Sequence, residues 1–101
     1  MVFVSGQGSI SPDGGLVGEG DIEAQATRVF ENLRTVLERS GCGLDAVVKL
    51  TIYLTDITTL RDVMRIKEGF LPGPHPAATA IGVAGLALPG MMIEVEAVAA
   101  L

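Results

Sequence analysis

Two glutamates, Glu94 and Glu96, lie two residues apart near the end of the chain. In an extended strand alternate side chains project from the same face, about 7 Å apart. Two carboxylates placed in this way could polarise a water molecule and act as a general base. The alternative is structural, because the pair could also lie at a solvated rim or pair with Lys49 across a sheet. The spacing alone leaves both interpretations open.

Other candidate residues lie in loops and at the end of the first apolar run. His75 stands between Pro74 and Pro76, where a rigid loop could hold a catalytic imidazole, although a loop histidine can also be simply solvated. Ser5 could offer its hydroxyl, with nearby backbone N–H groups, to an anionic ligand. The glycines that follow Ser5 lead into a turn and not a helix, so they do not predict a dinucleotide site. No cofactor is expected.

Composition excludes several classes of protein. The chain has 101 residues, 49% of them hydrophobic, and a net charge of −5, which predicts one folded domain spanning residues 1–101. No basic cluster is present to bind nucleic acid. One histidine and one cysteine cannot form a Cys/His metal site within one chain. The longest apolar stretch is broken by prolines and glycines, so no membrane span is predicted, and a cytoplasmic location is expected.

The pattern of apolar residues predicts the element order β-β-α-β-α-β-β. Asp21 is typical of a helix N-cap, and the apolar residues after it recur at helical spacing up to Arg39. Turn residues before Leu16 and Val17 predict that these two form the second strand of a hairpin. The predicted elements are strands in 2–5, 16–17, 45–56, 77–84 and 91–101, and helices from 21 to 39 and from 59 to 70.

These elements predict an α+β fold with both helices on one face of a mixed sheet. In the central strand, Val48 and every second residue after it are expected to lie under the helices, whereas Val47, Lys49, Thr51 and Tyr53 face the other way. The second face therefore carries polar residues and the two glutamates. A chain this small and this apolar needs to cover that face, and a second copy is the simplest partner.

Taken together, several motifs resemble the RidA/YjgF family, also described as L-PSP endoribonuclease-like. The resemblance covers essentially the whole chain and implies a chorismate-mutase-like fold, a homotrimer and pockets between the subunits. The motifs that carry it are Ser5-Gly6-Gln7, Asp21, Ala24-Gln25, Asn32-Leu33, the run Asp45–Asp56, Pro76-Ala77 and the run Ile93–Ala99.

The resemblance also implies chemistry. Members with the full pattern hydrolyse reactive 2-imino acids to 2-keto acids and ammonia, with an arginine after Pro-Ala holding the substrate carboxylate and a glutamate helping to place the water. The glutamate position matches Glu94, but the arginine position holds Ala78. The first-strand serine of the family matches Ser5. With the loop residues considered above, the predicted site residues are Glu94 and His75 for catalysis, and Ser5, Gly6, Ala78, Thr79 and Ala80 for substrate binding.

The absence of that arginine should alter specificity. A bidentate arginine makes two charge-assisted hydrogen bonds of roughly 1.5–3 kcal/mol each. A 2-imino acid would therefore bind more weakly by about a hundredfold or more, unless the arginine is replaced by one of Lys49, Arg61, Arg65, Lys67 and His75. The first hypothesis is a trimer that hydrolyses an imine, an enamine or a related carbonyl compound. The second is a non-catalytic trimer that binds a small ligand or protects a partner. Cleavage of RNA, which the older family description suggests, disagrees with the acidic charge.

Overall fold

A computed structural model describes residues 1–74 and 76–101, and two helices cover one face of a four-stranded sheet. The predicted α+β class and the placement of both helices on one side are confirmed. The elements are β1 (Val2–Gly8), α1 (Ile22–Arg39), β2 (Val47–Leu54), α2 (Leu60–Phe70), β3 (Ala77–Gly82) and β4 (Ile93–Ala99), with short 3-10 turns at Leu44–Ala46 and Ile57–Thr59.

The order of strands in the sheet is β1-β4-β2-β3. Strand β4 is antiparallel to both of its neighbours, whereas β3 pairs with β2 in parallel after the crossover through α2. The sheet is therefore mixed, and β1 and β3 form its two edges. The first residues of the chain and those that follow α2 therefore lie at opposite edges of the sheet.

Helix α1 forms where the sequence pattern predicts it. The Asp21 side chain accepts a hydrogen bond from the backbone N–H of Ala24 at 3.1 Å, which satisfies a free donor of the first turn. The apolar stripe of α1 packs on the sheet, and Phe30 stacks on Phe70 of α2 with ring centroids 5.6 Å apart. The fully buried residues of this stripe are Ala26, Val29, Phe30, Leu33 and Leu37.

A buried glutamine joins α1 to the segment before β4. Gln25 is fully buried, and its Nε2 donates to the carbonyls of Gly18 at 3.1 Å and Gly90 at 2.9 Å. Its Oε1 accepts from the N–H of Met92 at 2.8 Å. All three hydrogen bonds of the Gln25 side chain are to backbone groups. Gln25 therefore fixes where β4 begins, and with it the positions of the glutamates of β4.

The predicted hairpin differs in the structure. Strand β1 continues to Gly8, and the expected strand at Leu16 and Val17 is reduced to a single bridge between Ile10 and Leu16. The Asn32 amide of α1 donates to the carbonyls of Gly8 and Ile10, both at 3.0 Å. The loop is thus held by a helix side chain and not by a second strand.

The faces of β2 also need one correction. Val47 pairs with Ala99 and Lys49 pairs with Val98, so one additional residue, Val48, bulges out of the strand. Val47 is consequently buried and Val48 is 44% exposed, which reverses the prediction for these two residues. From Lys49 onwards the predicted alternation is confirmed.

Candidate functional site

The sheet face turned away from the helices, hereafter the open face, carries the polar residues of the strands. Glu94 and Glu96 alternate along β4 with the fully buried Val95, so both carboxylates project onto the open face. Lys49 and Tyr53 project onto it from β2. The predicted shared face of the two glutamates is confirmed.

Strand β1 contains a second bulge, at Ser5 and Gly6. Val4 pairs with Ala97 and Gln7 pairs with Val95, so two residues of β1 stand opposite Glu96 alone. A bulge leaves its extra residue outside the hydrogen-bond ladder and re-aims the neighbouring side chains. Here it turns Ser5 and Gly6 together towards the open face, beside the glutamates of β4.

The Glu94 side chain lies directly against Gly6. A Cβ atom on Gly6 would stand 2.6 Å from Cδ of Glu94, closer than real side-chain contacts allow. Only a residue without a side chain therefore leaves room for the Glu94 carboxyl group in this position. The bulge brings the backbone of β1 close to Glu94, and the glycine leaves the space between them free of side-chain atoms.

Glu96 has a different partner. The Tyr53 hydroxyl donates a hydrogen bond to Oε1 of Glu96 at 2.6 Å. This hydrogen bond, with smaller contributions from burial and from the charges of Glu96 and Glu94, raises the pKa of Tyr53 above its ordinary value of 10.0. Tyr53 therefore remains a protonated donor at neutral pH, and Glu96 remains its acceptor.

Lys49 does not pair with the glutamates. Its Nζ donates to Oγ1 of Thr79 at 2.9 Å and to the carbonyl of Leu50 at 3.0 Å, which draws the ammonium group towards β3. The only ion pairs within the described residues join Arg65 to Glu23 and to Asp62 on the helices. A cavity of about 360 Å³ lies on the open face, lined in part by Phe3, Ser5, Lys49, Glu96 and Val98.

The predicted site residues fall into two groups. Ser5 and Gly6 of β1 lie beside Glu94 of the neighbouring β4, whereas Ala78, Thr79 and Ala80 lie on β3 at the opposite edge. Three strand spacings, about 14 Å, separate β1 from β3, and two spacings, about 10 Å, separate Glu94 from β3, so one copy does not bring the groups together. The structure places Thr79 on the open face beside Lys49. His75 lies outside the described residues.

Two parts of this arrangement are not among the predicted site residues. The sequence predicts the face of Tyr53 correctly but no role for it. The signal for such a role is the position of Tyr53 opposite the glutamates once β2 and β4 are paired. The bulge had a weaker signal, a glycine inside an apolar run, which is typical of an irregular strand. The prediction ended the strand at that glycine.

Comparison with known proteins identifies the family. Residues 1–101 match the sequence profile described as "Endoribonuclease L-PSP". The chain belongs to the RidA/YjgF family. It is 39% identical over 100 residues to Protein HMF1 of Saccharomyces cerevisiae, covering 99% of this chain and 76% of that protein. It is 37% identical over 98 residues to the 2-iminobutanoate/2-iminopropanoate deaminase of Rattus norvegicus, covering 97% and 71%.

Solved RidA/YjgF structures agree with the fold. RidA from an Antarctic Psychrobacter superposes with a TM-score of 0.90 at 32% identity, covering 98% of this chain and 79% of that one. Relatives in this family include proteins described as mitochondrial, from Schizosaccharomyces pombe, and chloroplastic, from Arabidopsis thaliana. The cytoplasmic location therefore remains a prediction. In the described part of the chain, neither helix has the length and apolar character needed to cross a membrane.

Proposed function

We propose that this RidA/YjgF chain hydrolyses a small imine or enamine in clefts between the subunits of a homotrimer. An enamine first takes a proton at its β-carbon and becomes the imine. Water then adds across the C=N bond, the C–N bond breaks, and the products are a carbonyl compound and ammonia. The observation that carries the proposal is the Glu94 carboxylate held against Gly6 beside Ser5. The family membership and the deaminase among its relatives support it.

Each group in the proposed mechanism has one role. Glu94 accepts a hydrogen bond from the attacking water and orients it, as a general base does. Ser5 and the backbone N–H of Gly6 hold a polar group of the substrate, because a bulge frees backbone donors for this purpose. His75 supplies a proton to the departing nitrogen. No metal or cofactor takes part in this scheme.

The positions of the two residue groups favour a cleft shared between copies. The Ser5–Gly6–Glu94 group lies on the edge strand β1 and the adjacent β4, and Ala78 and Thr79 lie at the β3 edge. A cyclic assembly in which the β1 side of one copy meets the β3 side of the next joins them three times. The exposed apolar residues Phe3 and Ile81 on the open face give such a contact apolar area to bury.

Ala78 sets the specificity in this proposal. An alanine at the position of the family's arginine removes the bidentate carboxylate anchor, so a 2-imino acid loses its principal cation. Lys49, on the neighbouring β2, is a cation near this edge, and its ammonium group contacts Thr79 on the open face, whereas Ala78 pairs with Leu50 and shares its helix-facing side. A single ammonium is a weaker and less directional partner than a guanidinium. The cleft is therefore expected to bind the carboxylate of a 2-imino acid more weakly than a cleft with an arginine at this position.

The test measures ammonia release from 2-aminoacrylate generated in situ and from an aminomuconate-type enamine. We expect a rate above buffer for at least one substrate, and Glu94→Gln should abolish it. Ala78→Arg should raise the rate on 2-aminoacrylate, which is the enamine form of a 2-imino acid, by about a hundredfold. Ala87→Arg, which adds the same charge in the exposed loop before β4, is the matched control and should leave the rates unchanged.

Three results would contradict the proposal or a part of it. If wild type gives no rate above buffer while small carbonyl compounds raise its melting temperature, the chain is the non-catalytic ligand-binding trimer. If light scattering finds a particle of 10.5 kDa and not three times that mass, no shared cleft exists. A Glu94→Gln variant with full activity would remove Glu94 from the mechanism.

A further inference from the structure

Tyr53 is close to both glutamates of the open face. In the pairing of β2 with β4, Tyr53 stands directly opposite Glu94, and directly opposed residues have Cβ atoms about 5 Å apart. Its hydroxyl, however, reaches Oε1 of Glu96, the next residue of β4 on the same face, at 2.6 Å. The side chain therefore starts beside one carboxylate and ends on the other.

This placement addresses a physical problem of the site. Two carboxylates on one strand face repel each other, and a carboxylate that moves cannot hold a water molecule in a reactive position. Gly6 bounds Glu94 on the side of β1. We infer that Tyr53 limits the movement of Glu94 on the side of β2 and holds Glu96 in place through its hydrogen bond. Tyr53 is thus a positioning residue for Glu94. This inference rests on the proposed function.

The assignment separates the roles of the two glutamates. One carboxylate oxygen of Glu96 accepts a hydrogen bond from the Tyr53 hydroxyl. Glu94 makes no such hydrogen bond within the described residues, so its carboxylate is available to bind water. The charge of Glu94 also contributes to the raised pKa of Tyr53, which agrees with their proximity. Tyr53 does not touch the substrate in this scheme and acts through the carboxylates.

The first experiment needs no activity. Tyr53 is the only tyrosine and the chain has no tryptophan, so tyrosinate absorbance reports on this residue alone. An alkaline titration of wild type should give a midpoint above the ordinary value of 10.0. Glu96→Gln should lower the midpoint, and Glu94→Gln should lower it less, because it removes a charge but not the hydrogen bond. An unchanged midpoint in Glu96→Gln would overturn the inference.

The second experiment measures ammonia release by Tyr53→Phe, which keeps the ring and removes the hydroxyl. We expect kcat to fall about tenfold with KM within about twofold, because one hydrogen bond to a charged group is lost while the ligand contacts remain. Thr35→Val, which removes a hydroxyl from α1 far from the open face, should leave both values unchanged. The melting temperature of each variant separates misfolding from mispositioning.

The outcomes distinguish this inference from the proposed function. If Tyr53→Phe retains full kcat while wild type and the titration behave as expected, the hydrogen bond exists but Tyr53 has no positioning role. If wild type releases no ammonia, the proposed function fails and the positioning role fails with it, while the titration still reports whether Tyr53 and Glu96 are paired.

Discussion

Replacing Gly6 with alanine tests whether the space beside β1 positions Glu94. The added Cβ would lie 2.6 Å from Cδ of Glu94. The carboxylate must move away, because Val4 and Gln7, which are paired with β4, hold the bulge on both sides. A displacement of about 1 Å can cost on the order of a hundredfold in rate, and this is the loss in kcat that we expect. Gly6 has no positive φ, so the backbone itself accepts alanine without strain.

Stability should change little in this variant. The atoms that an alanine at position 6 meets are the end of a flexible side chain, so the free energy of unfolding should stay within about 1 kcal/mol of wild type. Gly69→Ala is the matched control: nothing lies within 4 Å of the added methyl group on α2, where alanine should stabilise by about 0.5–1 kcal/mol without affecting the rate. Ammonia release and urea unfolding measure the two quantities. A Gly6→Ala variant with the wild-type rate would refute the reasoning.

Two further predictions concern stability. Gln25→Ala removes three buried hydrogen bonds to backbone groups and should cost about 3 kcal/mol in urea unfolding, whereas Gln7→Ala, which loses one exposed bond, should cost less than about 1 kcal/mol. A similar loss in both variants would contradict the central role of Gln25. The Thr58 hydroxyl, and then its backbone N–H, lower the pKa of Asp56 below 3.8. The resulting stability is present above about pH 4 and is lost as the pH falls through the lowered pKa. The stability difference between wild type and Asp56→Asn should therefore shrink between pH 5 and pH 2, and a constant difference would show that the charge is not involved.

The sequence predicts the parts of the fold that depend on periodicity. The alternation of Ile93, Glu94 and Val95 assigns the faces of β4 correctly, and the Asp21 cap marks the start of α1. Both follow from local geometry, in which side chains repeat every two residues or every three to four. No partner strand needs to be known for either prediction.

Where pairing decides the outcome, the sequence predicts less. The bulges at Val48 and at Ser5–Gly6 arise because neighbouring strands must match in length and twist, and that depends on residues far away along the chain. The hydrogen bond from Tyr53 to Glu96 has the same origin, since it needs the register of β2 against β4. The separation of Ala78 from Ser5 follows from the strand order, which periodicity does not encode.

The fit between Gly6 and Glu94 also limits how this surface can evolve. A side chain at position 6 displaces Glu94 even where the chain folds normally, so selection for the reaction keeps the glycine and the glutamate together. The two positions should therefore change together among descendants of this chain. A lineage that has lost both is expected to have exchanged the ancestral substrate for another.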